Sequence, residues 1–63
     1  MPKFSVEFDI ENAAFAEGNA GAETARILRR IAERLEDGED SGACVDINGN
    51  QVGWWSIELP EEE

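Results

Sequence analysis

The stretch "ACVDINGNQVGWWSIEL", residues 43–59, decides how this chain folds. Asn48-Gly49 at its centre is the strongest short-range hairpin signal, because both central turn positions favour positive φ. The flanking segments "ACVDI" and "QVGWWSIEL" read as two antiparallel strands, rich in β-branched and aromatic residues. Neighbours on a strand face opposite ways, so Trp54 and Trp55 cannot both enter a one-sided core. The parity Trp55–Ile57–Leu59 sends Trp55 inward and leaves Trp54, Ser56 and Glu58 on the other face. In the first arm Ala43, Val45 and Ile47 make the apolar set, with Cys44 and Asp46 facing away. A two-residue turn would set Ala43 opposite Trp54, against that parity. A bulge near Gly53, or a three-residue turn including Asn50, would restore it.

Upstream, "GAETARILRRIAERLED" (residues 21–37) places Thr24, Ile27, Leu28, Ile31 and Leu35 at helical spacing among strong helix formers. Asn19 is a candidate N-cap, and Gly38 stands where a left-handed C′ residue belongs. Leu28 and Ile31 are the residues expected above Trp55. Between helix and hairpin, "EDGEDSG" reads as an acidic loop. At the start, "KFSVEFDI" (residues 3–10) alternates strictly, with Phe4, Val6, Phe8 and Ile10 on one face. That alternation is a half-buried strand. Asn12 can cap a short helical turn through Ala13–Ala16, with Phe15 as an inward anchor.

These elements compose one small α+β domain over residues 1–63: strand 3–10, helix 21–37, hairpin 43–59 and an acidic tail 60–63. The order β-α-β-β predicts a three-stranded antiparallel sheet, strand order 2-3-1, with the amphipathic helix on one face. A parallel contact between strands 1 and 2 through a right-handed crossover is the alternative. One cysteine excludes an internal disulfide, and the absence of histidine removes Cys/His zinc sites. No apolar run approaches the ~20 residues of a membrane span, and no signal peptide opens the chain. The expectation is a soluble intracellular protein, without membrane attachment.

Charge is the outstanding feature: 15 acids against 5 bases give a net charge of −10. The helix segment is balanced, Glu23, Glu33, Glu36 and Asp37 against Arg26, Arg29, Arg30 and Arg34, so the surplus lies on strands, loops and tail. Glu7, Asp9, Asp46 and Glu58 are expected on the sheet face opposite the helix. Strand geometry spaces such carboxylates by about 5–7 Å, the order of successive phosphates along a nucleic-acid strand. Glu11 and the Glu36, Asp37, Glu39, Asp40 segment flank that lattice, and Trp54 offers an aromatic contact within it. Like charges across strands repel, which a basic partner would relieve. The bland alternative is a solvated face that serves solubility.

Other motifs carry less. "DINGN" resembles the start of a calcium loop, but Gly49 is fourth and Ile57 twelfth where glycine belongs sixth and glutamate twelfth. "EDGED" reads as a solvated helix exit, Cys44 as an unreactive thiol, and the arginine row as a salt-bridged solvent face. With no histidine, nucleophile elbow or phosphate-cradling loop, an enzyme is not expected, nor is a metal or other cofactor.

The segments "FDIENAAF", "ETARILRRIAERLEDG" and "DINGNQVGWWSIEL", in that order, cover most of the chain and resemble small open reading frames of phages and mobile elements. In size, charge and layout the chain is similar to anti-CRISPR proteins of the DNA-mimic kind. That resemblance implies a stoichiometric inhibitor that blocks the DNA-binding surface of a basic protein, such as the Cas8-like subunit of a type I effector. It implies a protein of a bacterial host's cytoplasm, a monomer or weak homodimer that does not itself touch nucleic acid. The competing expectation is an accessory protein that binds itself or another protein through its sheet.

Overall fold

A computed structural model describes residues 2–59; the acidic tail 60–63 lies outside the described residues. The elements are β1 (Phe4–Phe8), a single 3-10 turn (Ala13–Phe15), α1 (Ala20–Glu36), β2 (Ser41–Val45) and β3 (Gln51–Ile57). The sheet runs β1-β3-β2, with both outer strands antiparallel to β3. This is the α+β arrangement and strand order read from the sequence. The outer strands run the same way but are separated by β3, so the alternative contact between them does not form.

Local chemistry explains the boundaries. Asn12 caps the 3-10 turn by accepting the Ala14 N–H at 3.0 Å, and Phe15 is buried as the anchor. Asn19 is the N-cap residue of α1 through its backbone alone, its carbonyl accepting the Glu23 N–H at 2.8 Å. Gly38 follows the helix at φ +95°, a conformation glycine adopts without a Cβ penalty. The buried line of α1 is Glu23, Ile27 and Ile31, at four-residue intervals. Leu28, expected in the core, stands about 100° round the helix from Ile27 and is 43% exposed. The core is Phe15, Ile27, Ile31, Cys44 and Trp55, with Phe8, Ala14, Ala20, Leu35, Val52 and Ile57 packed against it.

The hairpin departs from the expected parity of its first arm. Asp46 donates its N–H to the Asn50 carbonyl at 2.9 Å and accepts the Gly49 N–H at 3.0 Å. The connection is therefore three residues, 47–49, and only Gly49 has positive φ. Val45 then pairs with Gln51 but Cys44 with Gly53, which leaves Val52 as a bulge on β3. The three-residue turn and the bulge shift the register in opposite senses and cancel. Ala43 lies opposite Trp54 after all, and Gly42 opposite Trp55. Cys44, not Ala43, Val45 and Ile47, therefore faces the helix; Val45 and Ile47 are exposed, as is Leu59. Trp55 is buried as expected and Trp54 is 62% exposed.

Small residues make this register work. A Cβ at Gly42 would stand 2.9 Å from Trp55 Nε1, so the bare backbone lets the indole lie against β2. A Cβ at Gly53 would collide with the Glu7 carbonyl oxygen and come within 2.6 Å of Phe8 Cβ. Gly53 thus permits the close approach of β1 to β3.

Two glycine substitutions should act in opposite directions in thermal melts. Gly53→Ala should cost about 1–3 kcal/mol, the usual range for overpacking. Gly21→Ala, in open space on α1, should stabilise by roughly 0.5 kcal/mol through helix propensity. For a domain this small each kcal/mol moves Tm by about 4–8 °C.

Candidate functional site

The sheet face turned from α1 is arranged in rows across the strands. Ser5, Ser56 and Ser41 form one row, and Glu7, Trp54 and Ala43 the next. Asp9 follows Glu7, held by its N–H on the Val52 carbonyl at 3.0 Å. A shallow hollow of about 580 Å³ lies over these residues. Glu7 and Trp54 are directly opposed, which puts their Cα atoms about 4.5–5.5 Å apart. At the serine end Glu58 donates its N–H to the Lys3 carbonyl at 2.7 Å. Among the described residues, strand parity makes Lys3 the one cation on this face.

Glu7, Asp9 and Trp54 are therefore brought together and exposed, with Glu11 and Glu58 exposed beyond the strand ends. Glu36, Asp37, Glu39 and Asp40 are exposed around the exit of α1, at the serine end of the sheet. Glu39 Oε1 forms an ion pair with Arg34 Nε at 3.1 Å, so part of that loop's charge is already paired.

Asp46 does not belong to this face. It is 3% exposed, and both its oxygens are occupied. Oδ1 accepts the N–H groups of Asn48 (2.9 Å) and Asn50 (2.8 Å); Oδ2 accepts Nδ2 of Asn12 (2.6 Å) and of Asn50 (3.3 Å). The backbone N–H of Asn50 is the leading cause that holds this carboxyl below its ordinary 3.8. The expected four-carboxylate lattice thus loses one member to a structural role. An aspartate two residues before Asn48 in a turn is the sequence signal, since such side chains bond their own backbone two residues on.

Glu23 is a second buried acid, 6% exposed, that sequence periodicity did not single out. It takes a two-pronged contact from Arg26 Nε and Nη2 at 3.0 and 2.9 Å, and accepts the Ile47 N–H at 2.8 Å. Arg26 Nη2 also donates to the Val45 carbonyl at 2.8 Å. The Arg26 hydrogen bonds hold the Glu23 carboxyl below its ordinary 4.5. Cys44 is buried, and burial raises its thiol above the ordinary 9.0, which disfavours the nucleophilic thiolate.

Among the described residues no three Asp, Glu or Cys side chains converge as a metal-holding group, and no helix is long and apolar enough to cross a membrane. Scans of protein-family models, of curated proteins and of solved structures return no match to this chain. The geometry above therefore carries the functional reading by itself.

The buried acids give a pH signature. Their depressed folded values mean that the stability they contribute is present above the unfolded values, 3.8 for Asp46 and 4.5 for Glu23, and is lost as pH falls through the folded ones. Asp46→Asn should lower the Tm near neutral pH. In parallel melts, the gap between wild type and Asp46→Asn should narrow steadily as pH falls below 3.8. A gap that stays constant to acid pH would remove the charged Asp46 from the account.

Proposed function

We propose that this protein is a stoichiometric, non-enzymatic binder whose acidic sheet face docks on the basic surface of a nucleic-acid-binding protein and excludes the nucleic acid. The observation that carries this reading is the opposed pair Glu7 and Trp54, the latter 62% exposed, on the open face. A guanidinium stacked on the Trp54 indole would lie beside the Glu7 carboxylate, joining cation–π attraction to a charge-assisted bond. Asp9 extends the acidic line, and the serine row supplies hydroxyls that both donate and accept. Tryptophan at the centre of a charged rim is the pattern of a binding hot spot. The net charge of −10 would steer the protein toward basic surfaces and speed encounter.

A DNA-recognition subunit of a type I CRISPR effector is a target of the right chemistry, which makes an anti-CRISPR inhibitor the concrete form of the proposal. Glu58, Glu11 and the Glu36–Asp40 loop serve as flanking contacts. Asp46 is left out.

A different observation favours a second reading. Phe4 (43% exposed) and Val6 (36%) lie on the helix side of β1, and Leu28 is also exposed. Self-association or protein binding would cover this apolar surface, with acidity serving solubility.

The first reading predicts that Glu7→Lys/Asp9→Lys abolishes competition with DNA for a purified effector complex while circular dichroism stays native. Trp54→Ala should weaken binding by at least tenfold, as expected for a hot-spot aromatic worth about 2 kcal/mol. Full inhibition by the double lysine variant would sink the sheet-face assignment. A salt-insensitive dimer in sedimentation, lost in Val6→Glu, would favour the second reading.

A further inference from the structure

Arg26, Arg30 and Arg34 stand at four-residue intervals on the flank of α1 that borders β2. With Ile27, Ala43 and Val45 they line a groove of about 330 Å³. β2 is an edge strand of the sheet. The Ile57 N–H donates to the Asp40 carbonyl at 2.9 Å. Antiparallel alternation then turns Gly42 and Cys44 toward β3, and the N–H and C=O groups of Ser41, Ala43 and Val45 outward. Arg26 Nη2 occupies the Val45 carbonyl. The outward groups of Ser41 and Ala43 meet no other segment among the described residues. Among the described residues this edge has no proline, no lysine and no covering backbone partner, the usual means of protecting one.

The donors facing the groove are only partly used. Arg30 has one exposed contact, to Glu33 at 3.3 Å. Arg34 engages Glu39 through Nε, which leaves its terminal nitrogens. A second unpaired donor lies next to the groove, beside Arg34. Trp55 Nε1 is buried and finds no acceptor among the described residues. It and Arg34 Nη1 lie 2.9 and 3.3 Å from the point where a Cβ on Gly42 would sit, so an indole N–H and a guanidinium converge beside β2. A buried unpaired donor costs about 1–3 kcal/mol.

The spacings name the occupant. Residues four apart on a helix rise about 6 Å, and alternate residues on a strand are about 6.5–7 Å apart. We propose that this groove binds an extended acidic segment of a partner protein, added antiparallel or parallel beside β2 as a fourth strand. Two carboxylates at alternate positions pair with Arg30 and Arg34, and the segment's backbone bonds to Ser41 and Ala43. Arg26, committed to Val45, closes the end of the added strand. A peptide fits where a phosphate chain does not, because outward carbonyls as well as N–H groups call for a backbone that both donates and accepts. The distant acids are screened at about 0.15 M salt, where the Debye length is about 8 Å, whereas contact pairs survive.

The test is fluorescence anisotropy of a labelled hexapeptide with glutamate at two alternate positions and valine between, at about 0.15 M salt. Saturable binding is expected, at least tenfold weaker for the glutamine version of the peptide and for Arg30→Glu, whose exposed site should not disturb folding. In amide spectra the Ala43 N–H and the Trp55 indole N–H should shift on binding. Absence of saturable binding would overturn the proposal, as would equal affinity for the glutamine peptide or no loss in Arg30→Glu. Tighter binding of a single-stranded oligonucleotide than of the peptide would overturn it too, by assigning the row to phosphate.

Discussion

The buried carboxylate of Asp46 joins parts of the chain that little else fixes. It closes the β2–β3 turn through Asn48 and Asn50 and reaches across to Asn12, which caps the 3-10 turn. One residue on, the Ile47 N–H is taken by Glu23, and Arg26 ties the same helical turn to the Val45 carbonyl. A domain of 63 residues buries only about 60% of its unfolded surface. Its apolar core, five buried residues among those described, is correspondingly small. Charge-assisted bonds at one end of the sheet therefore set how the helix, the 3-10 turn and the hairpin meet.

That arrangement sorts the charge. The two acids nearest the helix–hairpin junction are drawn inside, where their oxygens are bonded. The remaining described acids lie at the surface: on the open face, beyond the strand ends, around the helix exit, and at Glu17 before α1 and Glu33 along it. Arginines gather on the flank of α1 beside β2. The molecule thus offers two chemically distinct borders. One carries Trp54 beside the Glu7 carboxylate, and the other carries guanidinium groups along an unpaired strand edge. Both depend on the register of β3, since Gly53 brings β1 close and Gly42 admits the Trp55 indole.

Much of this was legible in residue patterns. The alternation of β1, the period of α1, Gly38 after the helix and the Asn-Gly hairpin placed every element to within two residues, and Trp55 followed its parity inward. The orientation of β2 was not legible, for a physical reason. Counting Val45 and Ile47 as core ignored that a turn of three residues and a bulge at Val52 cancel, which turns Cys44 to the helix side and leaves Gly42 beneath a large indole. Asp46 was misplaced by the same error, because its turn-forming role was visible in "DINGN" while its face was judged by alternation alone. Leu28 and Ile27 are adjacent, so periodicity could not tell which one defined the buried line.

The most direct test of this account is a carboxyl-detected NMR titration of Asp46 in the intact protein. Bonded as described, Asp46 should titrate below 3.8, with its midpoint following the loss of the Asn48 and Asn50 amide protection. A midpoint at or above 3.8, with those two amides exchanging freely at neutral pH, would contradict the buried junction and the face assignments that rest on it.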